Sequence, residues 1–114
     1  YVTNEEYYKH LREAELIILP YRTATQSGVV IDAYKASRYV VAFDVGAIGE
    51  QIKNHISGEL IESGNIKKFS QALNDFFELT FEERKKRSLA AWDYGMNKFS
   101  IQNNVQEWIK LINE

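Results

Sequence analysis

The chain has 114 residues, of which 45% are hydrophobic and none is cysteine, and its 16 acidic and 14 basic side chains leave a formal net charge of -2. That length fits one domain with a modest core, the lack of cysteine excludes a disulfide framework, and the missing basic excess argues against a nucleic-acid partner. No apolar run approaches the ~20 residues that cross a bilayer, and the opening YVTNEEYYKHLREAE has neither the basic start nor the apolar centre of a signal peptide, so a cytoplasmic location is expected.

Thr3 followed by Glu6 fits a capping box and predicts a helix from about Asn4 to Ala14, with Tyr7 or Tyr8, Leu11 and Ala14 at helical spacing. The run LIIL (Leu16 to Leu19) then reads as a buried strand ending at Pro20, the single proline. A polar octet, PYRTATQS (Pro20 to Ser27), separates it from the helical stretch GVVIDAYKA. A tight connection in such folds needs only ~2–6 residues, and extra polar length is usually there to carry ligand contacts. YVVAF (Tyr39 to Phe43) is a second strand, DVGAIGEQIK turns at Gly46 into a short helix, and GELIE (Gly58 to Glu62) is a third strand. Beyond Gly64 three helices are predicted, lined by Ile66, Phe69, Leu73 and Phe76, by Leu89, Trp92, Met96 and Phe99, and by Ile101, Val105, Trp108 and Ile112. Ser100 is a natural N-cap for the last of them.

Strands that alternate with helices and are continuously apolar argue for a parallel sheet covered on both faces. The expected class is α/β: a three-layer, Rossmann-like half domain with about three strands, helices on both faces and a helical C-terminus. Open doubly wound sheets commonly carry more strands, and the sequence starts on a helix without Met, so a piece of a longer chain is expected.

In such a sheet, ligands bind outside the carboxyl ends of the strands, where the first N–H groups of the following helix point at them. The octet lies at that end. TQSG supplies two hydroxyls, an amide and a glycine that lets backbone approach a phosphate. Asp32, about one turn into the helix, is placed to accept hydrogen bonds from ribose hydroxyls. The same residues also suit purely structural roles, with Ser27 or Thr25 as an N-cap, Gly28 as a turn residue and Asp32 as a favourable charge near a helix start. Local chemistry leaves both readings open.

The longer run AELIILPYRTATQSGVVIDAYKASRYVVAFDVGAIGEQIKNHISGELIESGNIKKFSQAL resembles the C-terminal, donor-binding part of the group-1 family of retaining nucleotide-sugar glycosyltransferases of the GT-B fold. AELIILP, RYVVAFDVGAIGE and SGELIE follow the order and spacing of the family's Ala-Asp-x-x-x-x-Pro strand, Gly-x-Pro-Val-Val-Ala-x-x-x-Gly-Gly-x-x-Glu segment and Gly-Leu-Leu-Val strand, and FSIQNNVQEWI is similar to its closing helix. Asp32 falls on the second Glu of the family's Glu-x7-Glu segment, which binds the donor ribose, and Ala24 stands where the first Glu contacts the donor sugar. ATQSG resembles a variant of this loop, which implies that Gln26, Ser27, Gly28 and Val29 face the donor diphosphate. Arg22, Thr25, Asp44 and Gly46 are further donor-site candidates. Ser37-Arg38-Tyr39 replaces the family's Gly-Lys-Pro.

The resemblance implies hexosyl transfer from a nucleotide-sugar, used as substrate without a metal or cofactor, to a glycan or lipid-linked acceptor in polysaccharide assembly. Residues 1–114 would form the C-terminal part of a donor domain. The N-terminal acceptor domain and the first half of the donor domain, which brings the basic residues that neutralise the diphosphate, have no counterpart in the sequence, so the chain by itself is expected to be inactive. The alternative is a non-catalytic nucleotide-binding or interaction module, which Ala24 favours.

The remaining candidates have structural readings. His10 reads as a solvated residue and His55 as part of a turn. The run RKKR (Arg84 to Arg87), preceded by Glu82 and Glu83, reads as a salt-bridged face, with anionic lipid as an alternative contact. Trp92 and Trp108 read as core. Self-association through a bare first-strand edge is a further expectation.

Overall fold

The computed structural model describes residues 4–21 and 28–99. In chain order it contains α1 (Asn4–Glu13), β1 (Leu16–Leu19), α2 (Gly28–Lys35), β2 (Tyr39–Phe43), α3 (Gly46–Gln51), β3 (Gly58–Ile61), α4 (Ile66–Glu78) and α5 (Phe81–Phe99). The three strands form one parallel sheet in the order β1-β2-β3. Leu16 lies opposite Tyr39, and Val40 opposite Gly58. The predicted α/β half domain with helices on both faces is the observed one, and the bounds predicted for the strands and the first two helices agree to within a residue. The predicted helix from Ile101 to Ile112 and the caps at Thr3 and Ser100 lie outside the described residues.

Every residue of β2 is buried. Alternation along this strand divides the core in two, because successive side chains of a strand point to opposite faces. Tyr39, Val41 and Phe43 pack with Leu16, Phe69 and Phe76, so α4 covers this face. The Phe43 and Phe69 rings lie 4.6 Å apart. Val40 and Ala42 pack on the other face with Val30, Ala33 and Tyr34 of α2, Ile48 of α3, and Ala91 and Met96 of α5.

α5 begins with a reciprocal capping box: Glu83 N–H donates to the Thr80 hydroxyl, and Thr80 N–H to the Glu83 carboxylate, both at 3.1 Å. The helix crosses the amino ends of the strands, where Arg84 pairs with Glu15 at 3.0 Å. It then reaches α2, where Gly95 lies so close to Tyr34 that a Cβ would overlap the ring's attachment. Two predicted core residues are found outside. Ile66, the first residue of α4, and Leu89 of α5 are 58% and 54% exposed. α5 turns Ala91 and Gly95 inward to approach α2 closely, with Met96 beside them, so the contact with α2 runs through small residues and Leu89 falls outside it.

The RKKR run is a salt-bridged face, as predicted, with partners the sequence did not show. Arg84 pairs with Glu15, and Arg87 lies 3.7 Å from Glu59 and 3.4 Å from the Tyr39 hydroxyl, so both arginines bind residues near the strand starts rather than the neighbouring Glu82 and Glu83. His10 is exposed, as predicted. His55 sits in the turn before β3, as predicted, with φ 68 and its Nδ1 2.7 Å from Glu59 Oε2. That turn also closes the outer edge of β3, since Leu60 N–H donates to Asn54 Oδ1 at 3.0 Å and His55 N–H to the Gly58 carbonyl at 2.8 Å.

Candidate functional site

Parallel pairing brings the carboxyl ends of all three strands to one side of the sheet. β1 delivers the chain there at Leu19, and α2 starts from that side nine residues later at Gly28. Val30, Ala33 and Tyr34 are fully buried and anchor α2 to the sheet, whereas Gly28 is exposed and Val29 half-buried. Among the described residues, its chain neighbours and the backbone of its own helix aside, nothing comes within 4 Å of the point where a Gly28 Cβ would lie. Packing by the described residues therefore does not demand glycine here, and none of them covers the exposed Gly28 at the start of α2.

Asp32 is half-buried one turn into α2. Its Oδ2 accepts a hydrogen bond from the Tyr7 hydroxyl of α1 at 3.0 Å. Among the described residues Oδ1 has no hydrogen-bond partner and remains an acceptor. Burial raises the carboxyl above its ordinary value, against the opposing pull of the Tyr7 hydrogen bond and the Lys35 charge. Tyr7 escaped the sequence reading, which placed either Tyr7 or Tyr8 on the helix's inner face without a polar role.

Asp44 and Gly46 follow β2 at the same side of the sheet. The Asp44 N–H donates to the Ile61 carbonyl at 2.8 Å, and its exposed carboxylate folds against Gly49, where any Cβ would overlap it. Gly46 opens α3 with φ 45, a left-handed conformation that favours glycine. Gly28, Val29, Asp32, Asp44 and Gly46 thus share the carboxyl side of the sheet, while Arg22, Ala24, Thr25, Gln26 and Ser27 lie outside the described residues.

A buried polar network holds α2 in place. The Tyr34 hydroxyl donates to the Gln51 carbonyl at 2.6 Å and lies 2.8 Å from Ser57 Oγ, which accepts the Lys53 N–H at 2.9 Å. Because the Tyr34 proton goes to Gln51, the Ser57 hydroxyl donates to Tyr34, and each hydroxyl proton has an acceptor. Burial pushes the Tyr34 phenol well above its ordinary range, so it stays a neutral donor.

The family model for Glycosyl transferases group 1 matches residues 1–78. The chain belongs to that family. The matched stretch of this group-1 glycosyltransferase chain runs from α1 through α4 and contains every candidate residue at the carboxyl ends of the strands, whereas α5 lies beyond it. No curated protein matches the chain.

Among the described residues, no group of three or more His, Cys, Asp or Glu side chains is arranged to hold a metal ion, and no helix is long and apolar enough to cross a membrane.

Proposed function

We propose that this group-1 glycosyltransferase chain supplies part of the donor site for a nucleotide-sugar, in a retaining, metal-independent transfer of a hexosyl group to a glycan or lipid-linked acceptor. The observation that carries the reading is the pairing of an open α2 start at Gly28 with a half-buried Asp32 one turn further on. The first amides of α2, with Gln26, Ser27, Gly28 and Val29, receive the diphosphate, since a helix start combines unpaired N–H groups with a partial positive charge. Asp32 Oδ1 accepts from the ribose hydroxyls while Tyr7 holds Oδ2 in place. Asp44 and Gly46 border the same mouth, and Arg22 and Thr25 are further donor contacts in this reading.

The chemistry requires the diphosphate to leave with its charge stabilised. In this reading the basic groups that do so, and the acceptor domain, come from the rest of a GT-B enzyme seated along the β1 edge of the sheet. The present chain binds donor without turning it over.

Calorimetric titration with UDP and GDP, for the parent chain and Asp32→Ala, tests this directly. The parent should bind one of the two nucleotides, and the variant should bind it about tenfold more weakly or worse, a loss of ~1.4 kcal/mol. Removing a half-buried carboxylate does not threaten the fold, so equal affinity of the two proteins would overturn the role of Asp32. A variant binding neither nucleotide, beside a parent that also binds neither, would favour a module with another job, the alternative to which Ala24 points.

A further inference from the structure

We infer that a second site, on the α4 face of the sheet along β3, takes a small organic anion with a flat apolar body. A cleft of about 420 Å³ opens there between β3, α4 and the first turns of α5. Ligand pockets commonly span ~300–1,000 Å³ and combine an apolar lining with a few placed polar groups. Phe76, Ala72 and Leu79 give this cleft its apolar floor.

The wall is built around Glu59. Its Oε2 lies 2.7 Å from His55 Nδ1, and its Oε1 accepts the Tyr39 hydroxyl at 2.9 Å with Arg87 at 3.7 Å. Arg87 also donates to the Tyr39 hydroxyl at 3.4 Å and lies 5.4 Å above the ring centre. This carboxylate is therefore engaged in holding the wall together and does not recruit a ligand cation. Asp75, on the rim, accepts the Gln71 amide at 2.8 Å.

Apart from the second carboxylate oxygen of Asp75 on the rim, the capacity left open is that of donors. The Lys68 ammonium has no hydrogen-bond or ion-pair partner among the described residues, His55 uses only Nδ1 and keeps Nε2 open on a side chain that is 75% exposed, and only NH1 of Arg87 is engaged. A free ammonium one turn from an apolar floor fits an anionic group carried on a planar hydrocarbon body: the charge meets Lys68, and the body lies over Ala72 and Phe76. Glu59 and Tyr39 lie near the starts of their strands, whereas Gly28, Asp32 and Asp44 follow the strand ends, so the two sites do not share residues.

The test is titration with 2-naphthoate, with the neutral 2-naphthalenemethanol as control, following backbone amides by NMR. Saturable shifts confined to Glu59–Ile61 and Lys68–Phe76, with a Kd below about 1 mM, are expected. The neutral analogue and the Lys68→Glu variant should each bind about fivefold more weakly or worse. Lys68→Glu keeps the fold, because an acidic side chain in the first turn of α4 suits the helix dipole and completes a capping box with Asn65, whose side chain already accepts the residue-68 N–H at 3.0 Å. Failure to saturate by several millimolar, equal affinity for the neutral analogue, unchanged affinity in the variant, or shifts at Gly28–Asp32 instead would each overturn the inference.

Discussion

Removing the Tyr34 hydroxyl tests whether the polar network beneath α2 fixes that helix. Tyr34→Phe keeps the ring, which is fully buried and packs against Phe99 with centroids 6.0 Å apart, so its cost reports the hydroxyl alone. Two groups lose a partner: the Gln51 carbonyl at the end of α3, and the Ser57 hydroxyl, whose residue is fully buried. A buried group left unsatisfied costs ~1–3 kcal/mol, and Ser57 still accepts the Lys53 N–H, so about 2–3 kcal/mol is expected in total. Ser57→Ala leaves Tyr34 its bond to Gln51 and should cost about 1–2 kcal/mol. The double variant should fall short of the sum by about 1 kcal/mol, because the stranded serine hydroxyl of the first variant no longer exists in it. Urea unfolding followed by far-UV circular dichroism, with unchanged slopes, measures all three. A Tyr34→Phe cost under about 0.5 kcal/mol, or strict additivity, would refute the network as a determinant of the position of α2.

Gly95→Ala brings opposing effects together: alanine gains ~1 kcal/mol in helix propensity, but its Cβ overlaps the Cβ and ring attachment of Tyr34, which cannot swing away. Overpacking of this kind costs ~1–3 kcal/mol, so a net loss of stability is expected in thermal melts, and a gain would show that α2 and α5 yield to each other. Thr80→Ala removes half of the α5 capping box and should lower stability by ~1 kcal/mol in the same melts. Asp32→Asn reports the strain of a half-buried charge. The folded-state pKa of Asp32 is raised above 3.8, so its favourable neutral form is fully present below that value and is lost as pH rises through the folded value. The asparagine variant should therefore be the more stable at neutral pH, with the difference vanishing below about pH 3.8, as read from urea midpoints across that range. A parent that gains on the variant as pH rises would reverse the assignment.

The fold was largely legible because its strongest signals are local. LIIL and YVVAF are short, continuous apolar runs bounded by breakers, and such runs become inner strands of a parallel sheet. The octet pointed to the carboxyl side of the sheet as the candidate donor site, because it is polar length beyond what a tight connection needs. Side-chain partners are non-local, and here the sequence was silent or misleading. Tyr7 meets Asp32 across 25 positions, and Arg87 meets Tyr39 across 48. Hydrophobic periodicity selected Leu89 for the core because it weights size, while α5 approaches α2 through Ala91 and Gly95. The Thr80–Glu83 capping box was written plainly in TFEE, and the apolar pattern of the flanking helices drew attention away from it. The cleft at Glu59 had no linear signature, since its parts come from β2, β3, α4 and α5.

The most direct test of the donor-site account is to map nucleotide onto the protein by NMR, titrating UDP or GDP and following the amides of Gly28–Asp32 and Asp44–Gly46 against those lining the Glu59 cleft. The account predicts saturable shifts at the first two segments, weakened in Asp32→Ala, with the cleft amides unmoved. Saturable binding that leaves Gly28–Asp32 unmoved would contradict it.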